Sequence, residues 1–281
     1  MRRIAIAAPL LLSLVLASPL TAQRYRARGY RSSRSWLEEC RNGDWGGSRE
    51  RFCEERTVGW SSRSGATLTV DATPNGGVSV SGWDEDSVHV VVRIQAQADD
   101  EDEARALAEQ IRVTSSGGRL SADGPASRRG RSWSVSFVIQ APRRMNLDLT
   151  AENGPLSAEG ISGTIRMEAD NGPLELRDLG GDVRARAHNG PLTIELTGSR
   201  WEGVGLDAET TNGPLSLSIP EDFNAQLETG TTNGPMDIGF PITIQGRFGF
   251  RGGRPITTTL GSGGPTVRAI TTNGPLTIRR N

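Results

Sequence analysis

The chain contains no lysine. All 32 of its basic residues are arginine, in a sequence of 281 residues with a formal net charge of −1. This absence excludes Schiff-base chemistry and lysine-dependent cofactor chemistry, which need an amine side chain. Only two histidines are present, His89 and His188, so the side chain that most often carries general acid–base catalysis is scarce as well.

The sequence also lacks the common catalytic motifs. It has no Gly-x-Ser-x-Gly elbow, phosphate-binding loop, His-Glu-x-x-His zinc motif or calcium-binding nonapeptide repeat. We therefore expect no catalytic residues and no cofactor. Aromatic residues make up only 5% of the chain and glycine occupies 35 positions, which favours a β-rich, turn-rich protein.

What the chain does contain is a repeat. The tetrapeptide Asn-Gly-Pro-Leu, once ending in Met, occurs six times, and its Asn residues are 18, 18, 23, 21 and 40 residues apart. A period near 20 residues is typical of repeat architectures, and the last spacing is close to two such periods. We predict structural corners at Asn153-Gly154-Pro155, Asn171-Gly172-Pro173, Asn189-Gly190-Pro191, Asn212-Gly213-Pro214, Asn233-Gly234-Pro235 and Asn273-Gly274-Pro275.

Apolar residues alternate with polar ones on both sides of each corner. In the first repeat Leu147, Leu149 and Ala151 lie six, four and two residues before the Asn, and Leu156 and Ala158 lie three and five residues after it. A step of two is strand periodicity with one buried face. Each repeat is therefore predicted to be strand, corner, strand. The corner itself has a mechanism, because Asn and Gly tolerate a positive φ and Pro fixes its own φ.

Two arrangements of such repeats are possible. Asn-Gly between alternating runs is a strong hairpin signal, so an antiparallel meander is one of them. We favour parallel stacking, because equivalent residues match from repeat to repeat. The predicted fold is all-β: a single-stranded β-solenoid, or β-helix, of about seven coils, with an N-terminal β segment and one short helix as a cap.

Stacking in register would also pair outward charges. It places Asp148 beside Arg166, Glu168 beside Arg186, Arg186 beside Glu209, and Arg184 beside Asp207. Opposite charges on neighbouring strands contribute roughly 0.2–1 kcal/mol per pair, which helps to specify the register.

The start of the chain has the features of an export signal. Residues 1–22 combine Arg2 and Arg3, an apolar run too short to span a bilayer comfortably, and a cleavage-like Leu-Thr-Ala. We expect an exported protein, in the periplasm, the outer cell envelope or outside the cell, with no transmembrane segment once the signal is removed.

Residues 23–56 are predicted to be an Arg-rich linker that ends in a disulfide loop. The arm is either a disordered linker or a basic segment that contacts anionic polymer, lipid headgroups or nucleic acid. Cys40 and Cys53 are the only cysteines, and in an exported chain they indicate one disulfide. A structural zinc site needs four ligands, and no His lies near the two cysteines, so we do not expect them to bind zinc.

Residues 57–141 are predicted to form strands at 67–70, 78–81, 88–97, 119–122 and 133–140, with one helix. An acidic run at residues 99–103 opens that helix, where negative charge complements the helix dipole. This segment is the candidate cap of the repeats, which occupy residues 142–281. At the other end Arg279 and Arg280 would guard an exposed last coil, or that coil would pair with another copy.

One cluster could carry chemistry. In a stack of coils Glu152, Asp170 and His188, each just before its Asn, would lie about 4.8 Å apart on one outer face. They could bind a metal or share a proton, or they could form a solvated polar row. The Asn residues themselves could bind carbohydrate or serve only as corners.

The chain resembles a known family. Trp83-Asp84-Glu85-Asp86-Ser87-Val88, the acidic helix and Phe137-Val138-Ile139-Gln140-Ala141-Pro142, followed by Asn-Gly repeats, are similar to the bacterial putative-adhesin β-strand-repeat family, domain of unknown function 4097. The resemblance covers roughly residues 66–281. It implies an exported or envelope-associated β-solenoid without established catalytic residues. Here Pro-Leu replaces the family's usual acidic or β-branched residue after Asn-Gly, and the two cysteines lie outside the resemblance.

These observations lead to three functional hypotheses. The first is a non-enzymatic envelope protein with an adhesin-like or structural surface, which contacts an envelope polymer, a surface glycan or a protein. The second is a carbohydrate-active β-helix enzyme built on Glu152, Asp170 and His188. The third is a scaffold that self-associates through its C-terminal coil. No nucleic-acid partner is expected.

Overall fold

The computed structural model describes residues 33–42, 49–241 and 255–281. The predicted signal at residues 1–22 and most of the Arg-rich arm lie outside the described residues. The two helices are α1 (Ser33–Asn42) and α2 (Glu101–Glu109). The strands are β1 (Glu50–Ser61), β2 (Thr67–Asp71), β3 (Val78–Trp83), β4 (Ser87–Ala98), β5 (Arg112–Ser116), β6 (Arg119–Asp123), β7 (Ser132–Pro142), β8 (Asn146–Asn153), β9 (Leu156–Glu159), β10 (Ser162–Asn171), β11 (Leu174–Arg177), β12 (Gly180–Asn189), β13 (Leu192–Glu195), β14 (Gly205–Asn212), β15 (Leu215–Ile219), β16 (Ala225–Asn233), β17 (Met236–Ile238), β18 (Ile256–Leu260), β19 (Thr266–Asn273) and β20 (Leu276–Arg280).

The repeats stack as parallel coils, as the sequence predicts. Ile165 pairs with Leu147 and with Val183, and Asn171 pairs with both Asn153 and Asn189. The strands before the corners form one long sheet, and the strands after them form another. The all-β, largely parallel, solenoid-like architecture is confirmed, and the corners do not lie at the tips of antiparallel hairpins.

The interior is the apolar set that alternation predicts. In the first repeat Leu147, Leu149, Ala151, Leu156 and Ala158 are all buried. The equivalent residues of the following coils join the same core. Because parallel stacking repeats each side chain directly above its counterpart, this core runs along the whole solenoid.

The order of the coils in space differs from their order in the chain. Strand β19 lies between β14 and β16, and β20 lies between β15 and β17. The prediction of an exposed C-terminal coil is therefore wrong, and self-association through it loses its structural basis. Arg279 pairs with Asp237 on β17 at 2.5 Å, and Arg280 lies 4.6 Å from the Phe240 ring. Both arginines fasten the neighbouring coil instead of guarding an edge.

The spacing of 40 residues between Asn233 and Asn273 does not contain a further stacked coil in its described residues. Strand β18 instead runs antiparallel to β16, pairing Ala225 with Leu260 and Thr229 with Ile256. Residues 242–254 lie outside the described part. The sequence period suggested an extra coil because it measures chain length and carries no strand direction.

The first coil of the stack appears earlier than the repeat motif indicates. Strands β2 and β3 form a coil whose corner is Asn75-Gly76-Gly77, and Asn75 bridges to Asn153 in parallel. Strands β6 and β7 form another beside it. The Asn75 corner lacks the proline that marks the other six, so it is not an instance of the repeated tetrapeptide.

Strands β4, β1, β5 and helix α2 close the N-terminal end. Strand β4 pairs antiparallel with β7, β1 with β4, and β5 with β6. Helix α2 begins after Asp100, whose side chain accepts a hydrogen bond from the Glu103 amide, and it buries Ala104, Leu107 and Ala108. The five predicted strands and the helix are present. Strands β1 and β5 and helix α1 are additional, and β1 begins within the stretch expected to be a linker.

Candidate functional site

The corners are held together by backbone hydrogen bonds between coils. The amide of Gly154 donates to the Asn171 carbonyl at 3.0 Å, and that of Leu156 donates to the Pro173 carbonyl at 2.9 Å. The same two bonds recur from coil to coil. Proline has no N–H, and at this corner its carbonyl still accepts, so its presence interrupts no bond of the ladder.

The need for glycine at the corners does not come from the backbone conformation of the turn. None of the six has a positive φ. A Cβ built on Gly172 would lie 2.2 Å from the carbonyl oxygen of Gly154, and one on Gly190 would lie 2.0 Å from that of Gly172. The glycine is needed because neighbouring coils approach too closely there for any side chain.

The corner asparagines form an exposed row of hydrogen-bonded amides, which we call the asparagine ladder. Each Nδ2 donates to the Oδ1 of the next Asn toward the N-terminal end, at 2.8–3.2 Å. At that end Asn153 donates to the Pro74 carbonyl at 2.9 Å. In spatial order the ladder is Asn153, Asn171, Asn189, Asn212, Asn273 and Asn233. All six side chains are exposed, so their remaining donors and acceptors face solvent.

The predicted cluster of Glu152, Asp170 and His188 is only partly brought together. His188 Nδ1 and Asp170 Oδ1 lie 2.6 Å apart, and each side chain is about half exposed. Glu152 is exposed and makes no contact with that pair. Among the described residues no group of three His, Cys, Asp or Glu side chains is arranged to hold a metal ion. The pair can share a proton, but it stands on an open outer surface.

A network of ion pairs crosses the outer face of the strands that precede the corners. Arg186 and Arg268 both contact Asp207, at 2.5 and 2.7 Å, and both contact Glu209. Arg268 also reaches Glu228 at 3.3 Å. The network therefore joins four neighbouring coils, including the inserted one.

The charges in this network shift each other's pKa. Partial burial works to raise the pKa of Asp207, but hydrogen bonds from Arg186 and Arg268 lower it, and the net shift is downward. Burial works to lower the pKa of Arg268, and Glu209 and Asp207 raise it by more. Both groups are held in their charged forms.

The register prediction for the outward charges is confirmed, and one of the four predicted pairs, Arg186 with Glu209, forms an ion pair at 3.4 Å. Asp148 is the register partner of Arg166, and Glu168 that of Arg186, yet neither pair is within ion-pair distance among the described residues. Besides its register partner Glu209, Arg186 also contacts Asp207, which lies diagonally across from it on the same neighbouring strand. Long side chains choose among several acids within reach, which backbone register alone does not decide.

The Cys40–Cys53 disulfide is formed and ties α1 to β1. Beside it Arg93 and Glu55 form a buried ion pair at 2.9 Å, with side chains 8% and 10% exposed. The Trp36 ring of α1 lies 5.2 Å from the Arg93 guanidinium. The disulfide thus holds in place a helix that covers a buried charge pair.

Within the described residues no helix is both long enough and apolar enough to cross a membrane.

The chain matches a known protein family over most of its length. Residues 64–279 match the family model described as Toastrack DUF4097. A comparison with curated proteins finds no match.

Three solved structures share a coarse likeness with this chain. One is a "putative cell adhesion protein" from Clostridium sporogenes, with 11% identity and a TM-score of 0.43, covering 82% of this chain and 100% of that one. Another is a "putative adhesin" from Bacteroides fragilis, with 13% identity and a TM-score of 0.32, covering 81% and 97%. The third is a "putative lipid binding protein" from Parabacteroides distasonis, with 10% identity and a TM-score of 0.27, covering 81% and 96%. These TM-scores are low, so no function is inferred from the likenesses.

Proposed function

This chain belongs to the Toastrack DUF4097 family, and we propose that it is a non-enzymatic, exported protein of the cell envelope whose solenoid presents an adhesin-like interaction surface. The observation that carries the proposal is the asparagine ladder. Six exposed amides stand in one row, fixed by side-chain and backbone hydrogen bonds in every coil. A row that is ordered before contact loses little side-chain entropy on binding.

The outer face of the strands that precede the corners, which we call the outer charged face, adds to this surface. It carries both guanidinium and carboxylate groups on neighbouring coils, and these are polar contacts of the kind that position a hydrophilic partner. A surface glycan, an envelope polymer or the polar face of another protein presents matching donors and acceptors. The solenoid would act as a rigid support that displays these groups at a fixed spacing.

Export is supported by the disulfide, because such bonds persist in oxidising compartments. We place the protein in the periplasm, the outer envelope or the cell exterior. Residues 57–141 would close one end of the solenoid, and residues 142–281 would provide most of its surface. Cell fractionation with antibody detection tests the placement, and recovery with the cytoplasmic fraction alone would contradict it.

The interaction surface is tested by binding of the purified exported protein to whole bacterial cells and to a glycan array. We expect saturable binding. Asn171→Asp should weaken contacts made by the ladder, because it removes the amide that donates to Asn153, and Asn146→Asp is a matched change away from the ladder. An absence of binding to every cell and glycan would contradict the proposal.

A carbohydrate-active enzyme is the second candidate, and the contact between Asp170 and His188 is the observation that favours it. A paired imidazole and carboxylate can move a proton at a reacting oxygen. Turnover of a uronate or neutral glycan that Asp170→Asn abolishes would replace the adhesin-like proposal with this one.

A further inference from the structure

Two arginines oppose each other directly on the outer charged face. Arg166 of β10 and Arg184 of β12 are register partners in adjacent parallel strands. The backbones of such strands lie about 4.8 Å apart. Like charges directly opposite are destabilising. Every other register contact of an arginine in this row is with an acid: Arg166 faces Asp148, Arg184 faces Asp207, and Arg268 faces Asp207 and Glu228. We call Arg166 and Arg184 the opposed arginine pair.

Among the described residues, the positive charge of this pair is compensated by a single long ion pair. Arg166 has no ion pair there, and the nearest carboxylate of Arg184 is Asp182 on its own strand, at 3.8 Å. The Arg184 side chain is 58% exposed. The acids that could have served Arg184 are already engaged, because Asp207 binds both Arg186 and Arg268.

The pair lines a shallow depression of about 260 Å³. Asp148, Glu168 and Arg186 form the rest of its polar lining. The carboxylates of Asp148 and Glu168 form no ion pair among the described residues, so both can accept hydrogen bonds. The depression is thus lined by both arginines of the opposed pair and by two carboxylates that form no ion pair among the described residues.

We propose that this depression binds one acidic sugar unit of an anionic polysaccharide. The carboxylate of the sugar would lie between Arg166 and Arg184, whose planar guanidinium groups suit a two-oxygen acceptor. Hydroxyl groups of the same sugar would donate to Asp148 and Glu168. The bound anion would relieve the repulsion between the two arginines.

The size and setting of the depression favour a polymer over a free small molecule. Pockets that enclose a whole ligand usually hold about 300–1,000 Å³. This depression is smaller and open, which suits one unit of a chain that continues over the face. An anionic membrane is disfavoured, because interfacial binding also needs apolar side chains to insert, and the exposed large apolar side chains among the described residues are Val204 and Met236.

The inference rests on the proposed interaction surface and names its ligand class. It is tested with polygalacturonate, a carboxylate polymer, at low salt, beside neutral dextran and phosphatidylglycerol vesicles. We expect the parent to bind polygalacturonate and to bind neither dextran nor the vesicles. Arg166→Gln, Arg184→Gln and the double variant should bind more weakly, the double variant by about tenfold or more, since bonds to charged groups are strong.

Arg200→Gln is the matched control. It removes the same charge from an exposed arginine that pairs with Glu202 outside this face, so its affinity should stay within about twofold of the parent. Without polymer the double variant should melt at the same temperature as the parent or higher, because it loses a like-charge contact. That melting temperature also shows that the variant is folded.

Equal binding of polygalacturonate by parent and double variant would overturn the inference, as would no binding by the parent. Binding confined to the vesicles would overturn it too and assign the arginines to a membrane. If whole cells bind parent and double variant equally, this site fails while the proposed function stands. If cells and glycans bind neither, the proposed function itself fails.

Discussion

The carbonyl oxygen of Gly154 lies 2.2 Å from the point where Gly172 would carry a Cβ. A Cβ atom essentially never lies this close to a non-bonded oxygen, and the oxygen here belongs to the backbone, which cannot rotate away. The corner glycine is therefore fixed by the coil stacked beside it.

Gly172→Ala should accordingly be severely destabilising. We expect a loss of about 3 kcal/mol or more in the free energy of unfolding, because the coils must separate to admit the methyl group. Urea unfolding followed by circular dichroism measures it. Gly198→Ala is the control: its methyl group meets nothing within 4 Å, and only its φ of +69° is unfavourable, at about 1–2 kcal/mol. Equal losses would contradict the explanation.

The asparagine ladder predicts a position effect. Asn189 donates to Asn171 and accepts from Asn212, whereas Asn233, at the end of the ladder, donates to Asn273 and accepts from no other asparagine of the described residues. Because a side-chain hydrogen bond contributes about 0.5–1.5 kcal/mol, Asn189→Ala should cost roughly twice as much as Asn233→Ala. The measurement is the shift in urea midpoint at constant slope. A larger cost at Asn233 would exclude a ladder of pairwise bonds.

The lowered pKa of Asp207 predicts acid sensitivity. A carboxyl whose folded pKa is below its unfolded value stabilises the protein above the unfolded value, and this stabilisation is lost as pH falls through the folded pKa. The ordinary value is 3.8, so the loss should begin near there and grow at lower pH. Unfolding free energies across that range should fall more steeply for the parent than for Asp207→Asn.

Asp148→Asn serves as the control for that experiment, because Asp148 lies on the same face without an ion pair among the described residues. Its stability should follow pH as the parent does. If Asp207→Asn and the parent show identical pH profiles, the contacts with Arg186 and Arg268 do not stabilise the folded state.

The disulfide predicts a response to reducing agent. Closing a loop between cysteines 13 residues apart should contribute about 3 kcal/mol by restricting the unfolded chain. Reduction also frees α1, whose Trp36 covers the buried pair of Arg93 and Glu55. Scanning calorimetry should show a lower melting temperature in reductant. The Cys40→Ser/Cys53→Ser variant should melt at that lower temperature with or without reductant, and a reductant effect on it would point to another cause.

Local regularity was predictable from the sequence. The alternation around Asn153 or Asn171 identifies the buried face, and equivalent positions identify the register, so Asp148 was placed beside Arg166 correctly. The same alignment also places Arg166 beside Arg184, five positions before each Asn. The signal for the opposed arginine pair is therefore present in the sequence, as one like-charge match in a row of opposite-charge matches.

Non-local order was not predictable in this way. The motif at Asn273 is as regular as the one at Asn212, and nothing in either says that the Asn273 coil lies between the coils of Asn212 and Asn233. The insertion depends on contacts between distant segments, such as Arg268 with Asp207 and Glu228. The corner at Asn75 was missed for a simpler reason, since it has Gly where the others have Pro.

The inserted position of β19 and β20 has a consequence for how the protein is made. A chain that emerges in order from the ribosome or the export channel releases β16 and β17 before any of their strand partners, because β18, β19 and β20 all follow them in the sequence. Those strands must wait, or dock provisionally against β14 and β15 and then give up that place. Folding is thus completed when β19 and β20 insert between strands that were synthesised earlier, so that the last segment made joins two segments made before it.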